Sequence, residues 1–307
     1  MNKMQVRNSL LLLLTATIWG TAFVAQSVGM DYVEPFTFTF ARSIIGGIVL
    51  IPCIWFLRQW KAKNNMEALE QEEGNPIVTK VEWIGGIFCG IALFAASNFQ
   101  QIGISYTTVG KAGFITALYV IIVPIMGLFF KKKVSLVIWL CVFLSVIGLY
   151  LLCMTEGSFT LAYGDFLVLI CAILFSVHIM IIDHFSPKGD GVIISCIQFF
   201  VCGLLSGIVM LFVENPEIGN MIAAKGPILY AGVLSSGVAY TLQIVGQKDM
   251  NPTIASLILC LESVVSALAG WLILKEALSS REIFGCVLMF VAIVLAQMPI
   301  PAKRVKK

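Results

Sequence analysis

Three ionisable side chains lie inside stretches that are otherwise almost wholly apolar: Arg42, His178 and Glu262. An ionisable group at bilayer depth costs about 2.5–3.5 kcal/mol at a helix centre. Each therefore marks a place where chemistry, or a partner, offsets that cost. Glu262 stands mid-stretch, between Pro252 and Leu274. A carboxyl there can cycle a proton or hold a substrate amine. As structure alone it pairs with Arg42 or takes a hydrogen bond from Gln243. Arg42 presents a planar fork suited to a carboxylate or phosphate, or it snorkels outward or pairs with Glu262. His178 reads as a proton relay or as a satisfied packing residue. Trp19, Arg42, Asn98, Gln100, Tyr119, Gln198, Tyr240, Gln243 and Glu262 form the expected substrate-binding set, with Glu262 and His178 as proton-coupling candidates. Asn98 and Tyr240 equally suit hydrogen bonds between helices.

The elements that hold these residues follow from composition. Of 307 residues, 59% are hydrophobic and only 12% charged, and the mean hydropathy is +0.96. A soluble chain carries about 25% charged residues, so the natural solvent here is lipid. A span of a 30 Å core needs roughly 20 apolar residues. Ten stretches meet that need: 8–28, 35–57, 82–102, 107–130, 134–153, 163–183, 190–213, 226–247, 252–274 and 281–298. Residues 58–81 make the one sizeable polar loop. The run Leu10 to Leu14 follows Lys3 and Arg7 like a signal peptide, but it continues past Trp19 and nine more stretches follow, so it reads as an uncleaved helix.

With the N-terminus in the cytoplasm, fifteen of the 20 Lys and Arg fall inside, four outside, and Arg42 within a span. This is the positive-inside bias. Trp55, Trp60, Trp83 and Trp139 then land at the inner boundary, and Tyr32, Tyr106, Tyr150, Tyr163 and Tyr230 at the outer one, as interfacial aromatics do. The nine Cys are odd in number, lie in apolar stretches and form no C-x-x-C. They read as packing residues, with no disulfide or metal role. The tail Lys-Arg-Val-Lys-Lys reads as a membrane anchor, with no nucleic acid as partner.

The chain also repeats itself. Residues 83–152 align without gaps to 226–295 at a constant shift of 143, pairing Gln100 with Gln243, Gly103 with Gly246, Gly127 with Gly270 and Tyr119 with Glu262. Earlier stretches match at a shift of about 156, which pairs Trp19 with Phe175 and Arg42 with Gln198. Five spans are an odd number, so the second copy enters the bilayer upside down. The expected fold is an all-α integral membrane protein of ten transmembrane helices in two inverted five-helix repeats, 1–155 and 156–298, with a basic tail 299–307. Such symmetry is what alternate opening to two sides requires.

The chain resembles the drug/metabolite transporter superfamily in its EamA-type ten-helix branch. The resemblance rests on Ala16 to Phe23 in the first stretch, with Trp19-Gly20-Thr21, and on Pro35 to Arg42 opening the second. It continues through Ala112 to Leu118 with Pro124, Ala255 to Glu262, and Leu274-Lys275-Glu276-Ala277-Leu278. It covers essentially the whole chain. Lys133 departs from the pattern, standing where the first repeat of such proteins has Glu, the counterpart of Glu276. The resemblance implies a carrier of small metabolites, often an exporter, without a cofactor.

Rival classes find little support. No Asp-rich cluster near an inner helix end, and no H-E-x-x-H, G-x-S-x-G, P-loop or G-x-G-x-x-G, is present, which argues against an enzyme. Little polarity runs end to end along any stretch, which argues against an open pore. Almost no mass lies outside the bilayer to signal with. The expected function is a secondary transporter of a small, amino acid-like or other organic solute. It works by alternating access around a central cavity, as an exporter, either proton-coupled or exchanging. The alternative is a lipid or amphiphile flippase or multidrug exporter of the same superfamily. The expected setting is the plasma membrane, multi-pass, with both termini cytoplasmic. The partners are the solute and the bilayer, as monomer or homodimer.

Overall fold

A computed structural model describes residues 3–64, 78–107, 109–132, 134–153, 162–273 and 279–297. Residues 65–77 of the expected loop, Lys133, the Lys275-Glu276 motif and the tail 299–307 lie outside the described residues. All regular structure among the described residues is helical. We number ten main helices: α1 Lys3–Gly29, α2 Pro35–Asn64, α3 Lys80–Ile104, α4 109–129, α5 Leu136–Cys153, α6 Tyr163–Phe185, α7 Gly191–Val213, α8 Lys225–Gln247, α9 252–273 and α10 Ser280–Gln297. A short helix, Ile218–Ala223, precedes α8.

Among the described residues, eight helices are long and apolar enough to cross a membrane. The apolar run Leu136–Leu151 of α5 is shorter. The 18 residues of α10 open with Arg281 and Glu282 and fall short of that measure too. Helix α2 continues to Asn64, so the polar connection begins later than residue 58. Helix starts follow local chemistry. Thr79 and Glu82 form a capping box on α3, Asp190 caps α7, and Asn251 with Pro252 opens α9. These groups satisfy backbone N–H donors that a helix start leaves unpaired.

The outer surface is apolar. Leu204, Leu211, Phe212, Leu272 and Phe290 are exposed, as are Trp55 and Trp83. The interior holds buried polar groups instead, among them Arg42, Asn98, Gln243 and Glu262. That inversion suits lipid outside and a polar site inside.

The main packing pairs join the two halves of the chain. Helix α1 lies against α8 and α9, and α6 against α3 and α4. Helices α2 and α7 pack together, as do α5 and α10. Exchanging each helix for its repeat counterpart reproduces the same pairs. Small residues permit the close approaches. Gly86 and Gly90 meet Ile197 and Val201, while Gly203 and Gly207 meet Ile44 and Phe40. Gly20 is also tightly packed: a Cβ there would come within 2.6 Å of the Glu262 carbonyl oxygen.

Candidate functional site

Helices α4 and α9 both tighten at their middles. Helix α4 divides into Val109–Ala117 and Tyr119–Phe129, and α9 into Pro252–Leu259 and Glu262–Ile273. At each junction the backbone bonds three residues back instead of four, from Leu118 N to Ile115 O and from Leu261 N to Ile258 O, both 3.2 Å. Side chains contribute to the irregularity. Cys260 Sγ bonds Leu257 O at 3.0 Å, and Ser263 Oγ donates across to Gly113 O at 3.1 Å. Competition of this kind bends helices. Pro124 lies beyond the α4 junction, so it is not the seat of that break.

Tyr119 and Glu262 begin the second segments of α4 and α9. Tyr119 Oη donates to Glu262 Oε1 at 3.0 Å, and both side chains are buried. The two positions that the repeat pairs are thus joined directly. Their segments also aim helix N-termini, the positive ends of helix dipoles, toward the same space.

That space is a small central cavity lined by repeat-related residues. Trp19 and Phe175 face it, as do Phe23 and Ile179, Gln100 and Gln243, Thr116 and Leu259, and Tyr119 and Glu262. Gln26, Arg42, Ser235 and Tyr240 complete the wall. Trp19 packs on Tyr240 with ring centroids 4.5 Å apart, and its Nε1 donates to Ser235 O at 3.4 Å. Gln100 Nε2 donates to Thr116 Oγ1 at 3.3 Å. Gln243 Oε1 is buried without a hydrogen-bond partner. The cavity is small, with room of about 30 Å³, enough for one or two waters. A larger cavity of about 430 Å³ lies at the ends of α1 and α3, beside Asp31, Glu34 and Glu217.

Of the nine residues expected to bind substrate, Trp19, Arg42, Gln100, Tyr119, Tyr240, Gln243 and Glu262 line the cavity. Asn98 does not: its Nδ2 bonds Phe94 O and Ser206 Oγ, tying α3 to α7. Gln198 also stands apart, its Oε1 3.1 Å from His178 Nε2. His178 is buried behind the aromatic wall, edge-on to Tyr240 and Phe175. Arg42 neither snorkels nor pairs with Glu262. It is buried, and its Nη1 donates to Gln26 Oε1 at 2.9 Å. Gln26 is a cavity residue that the sequence reading missed. Its spacing carried a signal, since Trp19, Phe23 and Gln26 share one helix face.

Fold and site together define a polytopic α-helical membrane protein with a small central cavity between two related halves. The chain belongs to the EamA-like transporter family, which matches residues 7–154 and again 162–298. An uncharacterized transporter of Archaeoglobus fulgidus is 29% identical over 294 residues, spanning 94% of this chain and 84% of its own. The uncharacterized transporter YoaV of Bacillus subtilis is 24% identical over 285 residues, 89% of this chain and 90% of its own. A solved crystal structure shares the fold with a TM-score of 0.74 at 18% identity, over 94% of this chain and 96% of that one.

Proposed function

We propose that this protein is a secondary transporter that exports a small organic solute by alternating access around the central cavity. The reading divides the chain into inverted repeats at 1–155 and 156–298, with the tail 299–307 and both termini in the cytoplasm of a plasma-membrane protein. One observation carries it. Tyr119 and Glu262 stand at equivalent breaks in repeat-related helices and bond to each other at 3.0 Å. A junction on the symmetry axis is where rocking of one half against the other changes access. Glu262 serves as the proton-coupling group, held by Tyr119 between cycles. Trp19, Tyr240, Gln100 and Gln243 shape the solute pocket.

The test begins with purified protein melted in the presence of amino acids, sugars, nucleosides and cations, since a bound ligand raises stability with its occupancy. A compound that stabilises the protein is then loaded into proteoliposomes. Counterflow of the labelled compound is expected. A compound that binds the cavity and never crosses the bilayer would overturn the reading.

A further inference from the structure

The two ionisable groups of the cavity meet neutral partners and not each other. Glu262 accepts from Tyr119. Arg42 is 3% exposed, donates to the Gln26 amide and lies 5.9 Å from the Phe38 ring centroid. The ion pair found among the described residues joins Lys132 to Asp183, away from this site. Buried charges are ordinarily paired, because an uncompensated one is costly. A guanidinium carries five donors in a fixed fork, and Gln26 accepts only one of them here.

Gln26 is itself fixed. Its Nε2 donates to Ala22 O at 3.4 Å, and its backbone carbonyl accepts from Gln101 Nε2 at 3.3 Å. With its NH2 committed to α1, the amide presents an oxygen to Arg42. It orients the guanidinium without cancelling its charge. A carboxylate at position 26 would fill the same volume and neutralise it.

We infer that Arg42 docks an anionic group of the solute, a carboxylate or a phosphate, and that Gln26 is the positioning residue that keeps this cation oriented and available. The inference rests on the transporter reading and narrows its substrate to organic anions and zwitterions. Charge-assisted, bidentate contacts of this kind give both affinity and geometric selectivity.

The full-length protein, purified in detergent, is melted against increasing sodium acetate or sodium phosphate at constant ionic strength, with acetamide as the neutral control. The wild type gains melting temperature with one of the anions and not with acetamide, and the effective anion separates carboxylate from phosphate chemistry. Arg42→Gln abolishes the response. Gln26→Glu raises the melting temperature without added anion and weakens apparent anion affinity about tenfold to a hundredfold. Gln26→Leu, which keeps the cation uncompensated but removes the oxygen that orients it, retains a weakened anion response from a lower starting temperature. The readout needs no transport. A protein that counterflows its solute but ignores both anions would refute this inference alone. One stabilised by an anion but unable to transport would refute the transporter reading alone. A Gln26→Glu protein that responds to anions as the wild type does would also overturn the role given to Gln26.

Discussion

The two halves of the molecule use one scaffold for different chemistry. In the first half a residue of α2, Arg42, bonds a residue of α1, Gln26. In the second, the counterpart of Arg42 is Gln198 on α7, which bonds His178 on α6. A link between equivalent helices thus occurs twice, from equivalent positions to partners about one turn apart, since the counterpart of Gln26 is Ile182 and that of His178 is Ala22. One copy holds a guanidinium and faces the cavity; the other joins an amide to an imidazole behind Tyr240. The middle helices differ in the same way. Helix α3 is regular, whereas α8 carries a π-helical stretch at Tyr230–Tyr240. Within it, the Ser235 carbonyl accepts from Trp19. Irregular π turns recur at functional sites. The comparison teaches that duplication supplied paired positions, while side-chain divergence made one site with a cation on one side and a carboxyl on the other.

Forcing the halves to match is the sharpest way to break this comparison. Gln198→Arg would place a second cation against His178, where nothing on hand compensates it. We expect a loss of about 3–5 kcal/mol, read as collapse of the monodisperse peak and of melting temperature. An unchanged protein would show that the second link tolerates charge.

A smaller effect is expected at Gly20, whose counterpart is Ser176. Gly20→Val would press on the Glu262 carbonyl and Val265, costing about 1–3 kcal/mol through overpacking. Ser176→Gly should cost less, because that side chain bonds only its own helix at Ala172 O. Thermal unfolding of the two variants side by side checks the order.

Tyr119→Phe removes the bond across the junction while keeping the ring. A hydrogen bond contributes about 0.5–1.5 kcal/mol, so transport of the identified solute should slow about threefold to tenfold with the fold intact. Wild-type rates would dissolve the link between junction and transport.

Asn98→Ala should do least. It removes one α3–α7 bond to Ser206, worth about 0.6 kcal/mol in membranes, and should leave transport unchanged. A transport defect in a stable Asn98→Ala protein would return Asn98 to the solute path.

Much of this was legible in the sequence. Apolar run length located the helices, the constant shift paired Tyr119 with Glu262, and midplane position singled out Glu262 itself. What escaped was rotation about each helix axis. In a helix apolar on nearly every side, polarity marks the buried face weakly. Asn98, Gln198 and Gln100 therefore look alike on paper, though only Gln100 reaches the cavity. Gln26 was passed over for the same reason. The π stretch in α8 was marked only by Gly232 and the run Ser235-Ser236-Gly237, which small-residue helix contacts share. The tight junctions of α4 and α9 were hidden too, since neither begins at a proline.

Under the proposed function, Glu262 couples proton movement to solute movement at the junction of the halves. The most direct test compares wild-type and Glu262→Gln protein in proteoliposomes carrying the identified solute, with and without a pH gradient. The variant keeps side-chain volume and hydrogen bonding but cannot cycle a proton. We predict that it loses gradient-driven accumulation entirely while retaining solute exchange at zero gradient. Accumulation that still follows the pH gradient in a stably folded Glu262→Gln protein would contradict the account.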